Sequence, residues 1–372
     1  MYTYSVLKTH MVKHSSNRRS FMKASGTAGV ALSIGVTGCL GEEDTPTPDS
    51  DDDDGNGTSA NGDGGNGGTD SLSVGFSHYP VIPHGLPLTV GMEEGFFEDN
   101  GVSVDDIVST DGGGGGVRTI TTGDIEVGMS PPNATAQAFN QGAPLHIVGM
   151  ATAVPDIDYQ TRVDSDIEEI QDVETIAVTD PASSGEANAV LSIEAADGIS
   201  LDDIEFLYTG GLGEVMSAVR EGIADVGLNT NPTSTEMLRN EETRRVWHTR
   251  DYVEEYTEDI LSMGNIILDQ EPELARGFLQ GWIDSSEWIH DNVDEAGRLW
   301  AAEADFDEEL AIAGLEDTQP EAFFQIGMSE EFADNLERVL QFDGTLEEDE
   351  ELEREELFRD EYLPEEYQSD WL

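Results

Sequence analysis

Lysine stops at Lys23, and Cys39 is the single cysteine of the chain. Beyond residue 23 there is no amine for Schiff-base chemistry and no lysine for a Walker A phosphate loop. One cysteine allows no intrachain disulfide and no thiolate zinc site. Positive charge is scarce throughout: 17 lysines and arginines stand against 79 aspartates and glutamates, a formal net charge of −62. Binding to nucleic acid needs clustered basic side chains facing phosphates, and this composition excludes it. Long apolar runs are missing as well. The apolar stretch 24–38 has 15 residues, rich in glycine and alanine, short of the ~20 needed to cross a bilayer core of ~30 Å. The chain reads as neither a P-loop ATPase nor a membrane-spanning subunit.

What precedes that stretch is informative. Asn17-Arg18-Arg19-Ser20-Phe21-Met22-Lys23 places paired arginines before a weakly hydrophobic segment that ends Val36-Thr37-Gly38-Cys39. The pattern resembles a twin-arginine export signal closed by a lipobox. Residues 1–38 are therefore expected to be a removed signal, with a lipid on Cys39 tethering the mature protein to the outer face of the cell membrane. Without the signal, twelve arginines and no lysine face 79 acidic residues, a formal charge of −67. Such a chain repels itself at low ionic strength, but at 1 M salt the Debye length falls to about 3 Å and the repulsion is screened. The composition looks like adaptation to molar salt, as in proteins of halophilic archaea. Residues 39–70, with Asp51-Asp52-Asp53-Asp54 and hardly an apolar side chain, read as a disordered acidic linker rather than a calcium site. Asn56-Gly57-Thr58 within it is a glycosylation sequon.

From Leu72 onward, short apolar runs alternate with amphipathic periodicity, which predicts an α/β fold with mostly parallel sheets. Strands are expected at 72–76, 125–129, 145–150, 175–179 and 225–229. A helix is expected over 273–292 with Leu274, Phe278 and Trp282 on one face, and another capped by Ser329 with Phe332, Leu336, Val339 and Leu340 inward. Roughly 300 ordered residues allow two cores. An internal echo agrees: 117–128 and 216–227 each read as a helix ending in glycine, a turn, then an acidic residue and Val-Gly, followed by a Pro/Asn loop (Ser130-Pro131-Pro132-Asn133 and Asn229-Thr230-Asn231-Pro232). The dense acidic run 347–356 is expected to be a solvated helix face.

Several segments, in order, resemble one receptor family. They are the strand 72–76 with Ser77-His78-Tyr79, then His84-Gly85-Leu86-Pro87-Leu88 and Glu93-Glu94-Gly95-Phe96-Phe97. Next come Gly123-Asp124-Ile125-Glu126-Val127-Gly128, Gln141-Gly142-Ala143-Pro144-Leu145, Val173-Glu174-Thr175-Ile176-Ala177-Val178 with Ser183-Ser184-Gly185, and finally Glu271-Pro272-Glu273 and Trp288-Ile289-His290-Asp291-Asn292. Together, across 72 to about 340, they are similar to the solute receptors of ABC importers in the nitrate/sulfonate/taurine and thiamine-pyrimidine-precursor group. Glu126 stands where the family pattern has aspartate. The resemblance implies a type II periplasmic-binding fold: two doubly wound lobes joined by a two-segment hinge, with lobe 1 at 72–162 plus 259–372 and lobe 2 at 163–258. It implies a monomer that binds a small solute between the lobes and hands it to an ABC permease with its ATPase subunit, without chemistry or cofactor.

Open parallel sheets bind ligands at the carboxyl ends of their strands, which selects the candidate residues. Ser77, His78 and Tyr79 follow the first strand, and aromatic and imidazole side chains suit a small polar organic ligand. His84 is either near the ligand or a satisfied structural histidine. A His78/His84 metal site lacks a third ligand, so no metal is expected. Gly115, in the run 112–116, exposes backbone N–H groups before a helix, and Arg118 in its first turn opposes the helix dipole unless an anion sits nearby. Ser183, Ser184 and Gly185 open another helix as cap or ligand contact. Ser130, Asn133 and Asn229 sit beyond strand ends, and Gly210 lies in a further loop of this kind. An anion (sulfonate or taurine, nitrate, bicarbonate) would use Ser183, Ser184 and Arg118; a pyrimidine would use Tyr79 and His78. An enzyme that builds a pyrimidine on a lysine-bound cofactor is excluded by the missing lysine. A surface sensory lipoprotein of the same fold is the remaining alternative.

Overall fold

A computed structural model describes residues 70–110, 113–123, 125–347 and 349–372. The expected signal, Cys39, the linker up to residue 69 and the Asn56 sequon lie outside these residues. The strands, in chain order, are β1 (Asp70–Ser77), β2 (Val102–Thr110), β3 (Val127–Ser130), β4 (Leu145–Met150), β5 (Asp158–Arg162), β6 (Thr175–Val178), β7 (Glu205–Tyr208), β8 (Val226–Asn229), β9 (Thr243–His248) and β10 (Ile260–Gly264). They form two five-stranded sheets of order β2-β1-β3-β10-β4 and β7-β6-β8-β5-β9. Within each sheet three strands run parallel, with Val74 opposite Val127 in the first and Ile176 opposite Val226 in the second. β10 and β5 are each antiparallel to both of their neighbours.

Those two strands are where the chain changes lobe. β5 leaves the first lobe and inserts between β8 and β9, while β10 leaves the second and inserts between β3 and β4. The crossing into the second lobe therefore falls in 151–157, before β5, and not after Arg162 as the sequence reading had it. The return crossing runs through 252–259. The two segments lie side by side: Ala151 N–H donates to Asp259 O at 3.1 Å, Thr152 and Thr257 hydroxyls meet at 2.9 Å, and Asp156 N–H donates to the Glu258 carboxylate.

The internal echo has a physical basis. Each helix, Gly113–Thr122 and Leu212–Glu221, is followed by a glycine at positive φ, Gly123 at 74° and Gly222 at 70°, a conformation that costs glycine little. The acidic residue of each repeat ties down the neighbouring strand: Glu126 accepts from Ser73 N–H at 2.7 Å, and Asp225 from Thr175 N–H at 2.9 Å. A side chain on Gly128 would lie 2.1 Å from the end of Ile120, and one on Gly227 would lie 2.7 Å from both Val215 and Val219. Glycine at these strand positions lets the preceding helix lie directly on the sheet.

The first lobe packs Val74, Phe76, Met129 and Met263 under the helix Pro272–Asp291, whose Leu274, Phe278 and Trp282 are buried as the spacing predicts. The second centres on Ile176, Val226 and a stacked Tyr159–Trp247 pair, ring centres 4.2 Å apart. Ser329 caps Glu330–Phe342, accepting from Phe332 N–H at 3.0 Å, and all four predicted inward residues are buried. The acidic run 347–356 departs from expectation. Among the described residues of the run the helix is confined to Arg354–Leu357, and Leu352 turns inward to join an apolar cluster.

Candidate functional site

The carboxyl ends of β1, β6 and β8 face one another across the crossing segments and enclose a narrow cavity of about 40 Å³, partly open to solvent. Ser77 ends β1 and His78 follows it, Thr179 follows β6, and Leu228 and Thr230 bracket the end of β8. Ser183, Ser184 and Gly185 bring the start of the helix Ser184–Ala195 to the opposite wall. Ile157, Glu258 and Asp259 come from the crossing segments themselves, so the pivot of the two lobes is also the floor of the cavity. Open sheets place ligands at this edge because backbone groups and loops converge there without side-chain cover.

His84 organises the floor. Its Nδ1 lies 2.6 Å from Asp259 Oδ2 in a hydrogen bond, and its Nε2 lies 2.7 Å from Glu258 Oε2, off hydrogen-bond alignment and hence as an ion pair. Burial alone would push the imidazole toward its neutral form. The two carboxylates outweigh that effect and hold its pKa up to about 10, so His84 is an imidazolium at neutral pH. Asp259 Oδ1 is buried and accepts no hydrogen bond from any described residue. One imidazolium thus lies between two carboxylate side chains.

The opposite wall is less electropositive than a bare helix start. Ser183 caps the helix, accepting from Glu186 N–H at 3.3 Å. Glu186, in the first turn and nearly buried, accepts from Ala182 N–H at 2.7 Å and from the Tyr208 hydroxyl. A carboxylate there offsets the partial positive charge of the helix end.

The structure thus brings Ser77, His78, His84, Ser183, Ser184 and Gly185 together in the lining of one cavity. The other candidates fall elsewhere. Tyr79 turns into the first core, its ring 6.4 Å from Phe76 and its hydroxyl 2.9 Å from Thr89 Oγ1. Arg118 is exposed on its helix, and no described arginine lines the cavity. Gly115 packs against Thr110. Ser130 pairs with Thr135 at 2.9 Å, and Asn133 is buried in the helix Pro132–Asn140. Asn229 turns back to Gln160 at 3.0 Å and leaves the cavity to its neighbours Leu228 and Thr230. Gly210, at φ 91°, shapes its loop by donating to Thr179 O at 2.8 Å. Sequence reading missed Glu258 and Asp259. Their one signal was an acidic pair abutting the apolar run Ile260-Leu261, hard to notice among 79 acidic residues.

Two α/β lobes, the first completed by β10 after the chain has returned from the second, with a cavity over the paired crossings, define the type II periplasmic-binding-protein fold. The chain belongs to the NMT1/THI5-like family, whose model matches residues 83–296. Among solved structures it is similar to the periplasmic aliphatic sulphonate binding protein SsuA from Escherichia coli, with TM-score 0.62, 15% identity, and 74% of this chain covering 87% of that one. The alkanesulfonate-binding protein SsuA from Xanthomonas axonopodis pv. citri, bound to MOPS, matches with TM-score 0.64 and 14% identity over 78% of this chain and 98% of that one. The periplasmic nitrate-binding protein NrtA from Synechocystis PCC 6803 matches with TM-score 0.61 and 13% identity over 78% of this chain and 86% of that one. No curated protein matches by sequence.

Proposed function

We propose that the chain is the exported solute receptor of an ABC importer. It captures a small solute between its lobes and delivers it to a permease driven by an ATPase subunit, with no chemistry of its own. The twin-arginine signal would carry it out folded, and a lipid on Cys39 would hold the monomer at the outer membrane face. The observation that carries this reading is the cavity walled by both sheets and floored by their crossings, a geometry in which hinge rotation opens and closes the site. Sulfonates and nitrate, the solute classes named for the similar structures, would draw on the hydroxyls of Ser183 and Ser184 in the lining. A thiamine pyrimidine precursor draws support from the carboxylates of Glu258 and Asp259, which accept from amino groups.

The test is thermal stability of the full chain in 2 M KCl against sulfonates, taurine, nitrate, bicarbonate and aminopyrimidines. A ligand at 100 times its dissociation constant stabilises the fold by about 2.7 kcal/mol. The same ligand should shrink the radius of gyration in small-angle scattering. Binding without compaction would count against a hinged receptor.

A further inference from the structure

We infer that the interlobe cavity is built for a small cation that carries N–H donors, a primary ammonium or a guanidinium, with Asp259 Oδ1 as its acceptor. This rests on the receptor reading above and names the class of solute. Asp259 is 3% exposed and one of its carboxylate oxygens is committed to His84, while the other reaches no donor among the described residues. A buried carboxylate oxygen without a partner is costly, and a ligand N–H removes that cost on binding. An anion would meet the reverse situation, since it would lose its water facing Glu258 and Asp259, the one lining cation, His84, is already engaged by both carboxylates, and no described arginine lines the cavity. The helix start on the far wall gives it little help, because Glu186 already occupies the first turn.

The lining narrows the cation further. Quaternary ammonium groups are held by aromatic faces, and among the described residues no Trp, Tyr or Phe lines this cavity. Recognition must therefore run through donor hydrogens. Ile82, Ile157, Leu212 and Leu228 offer a short aliphatic chain an apolar path away from Asp259. In molar salt, attraction beyond about 3 Å is screened, so direct contact with Asp259 is the charge interaction that survives. Potassium, present at far higher concentration, lacks directed donors and an alkyl body, and both features favour the organic cation.

The experiment uses the full chain in 2 M KCl at pH 7, reading melting temperature and calorimetric affinity. The probes are n-butylammonium and methylguanidinium, with tetramethylammonium as a cation without N–H, methanesulfonate and nitrate as anions, and a neutral aminopyrimidine. The expected result is a dose-dependent rise with the first two and none with tetramethylammonium or the anions. Asp259→Asn should weaken binding of the responding probe at least tenfold. Should that variant fail to fold, Leu212→Arg, which leaves Asp259 intact and adds a competing cation at the half-buried rim, should abolish the response. Stabilisation by methanesulfonate, nitrate or the neutral pyrimidine alone would overturn the cation assignment and leave the receptor standing. An equal response of the wild type and Asp259→Asn would remove Asp259 from recognition. No response to any probe, with no compaction in scattering, would sink both readings.

Discussion

At the scale of single residues, His84 joins stability to the site. It was legible in the sequence as a candidate with two readings, ligand contact or satisfied structural histidine, and the geometry joins them: it lines the cavity while holding the carboxylates of the hinge. Removing it leaves Glu258 and Asp259 buried without a counter-charge, so His84→Ala should cost about 3–5 kcal/mol, read from denaturant unfolding. The pH dependence follows from its raised pKa. The unfolded imidazole titrates near 6.5 and the folded one at about 10. Its contribution is fully present below the unfolded value and lost as pH rises through the folded one. Melting temperature should therefore decline between pH 6.5 and 10, and the decline should be smaller in His84→Gln. Tyr79 shows the opposite lesson. A strand-end aromatic looks like a ligand platform until Thr89 and Phe76 turn it into the core.

At the scale of elements, periodicity carried well where one face is buried. The helices Pro272–Asp291 and Glu330–Phe342 were legible from apolar spacing and a serine cap, and Ser329→Ala should lower stability by about 1 kcal/mol in chemical denaturation. Gly277 on the longer helix is a sharper test. A side chain there would lie 2.6 Å from the carbonyl oxygen of Asn100, so Gly277→Ala should shift the helix and cost about 1–3 kcal/mol by the same measurement. The strands were less evenly legible. β4 was read to the residue, while β2, β5, β7, β9 and β10 were not singled out. β2 and β7 expose much of their length, and the apolar signal fades with it. β5 and β10 take their sheet from a partner distant in sequence, which no local pattern reports.

For the whole molecule, charge decides the conditions under which the fold holds. The proposed mature chain carries far more repulsion than an ordinary domain tolerates at low salt. Diluting KCl from 2 M to 0.1 M lengthens the Debye length from about 2 Å to ~10 Å, and the melting temperature should fall steeply and recover on adding salt back. A melting temperature indifferent to KCl would remove the molar-salt reading. Contacts between the C-terminal helices and the second lobe accompany the crossings: Arg250 donates to Thr318 O at 3.1 Å, and Arg245 lies 3.5 Å from Asp317. The Arg245–Asp317 pair is half-exposed, so Asp317→Ala should change stability by less than about 1 kcal/mol.

By itself the sequence set the expectation of an exported chain and determined net charge, two α/β halves, the family resemblance and the loops at the strand ends. Each of these follows from local order: a leader motif, a composition, a period, or a glycine that must turn. Tertiary structure alone decided where the chain changes lobe, which of the loop residues turn inward, and that an acidic pair from the return crossing floors the cavity. Those facts depend on pairings between residues far apart in the chain. His84 meets Asp259 across 175 positions, and nothing near either residue states that they will share a proton.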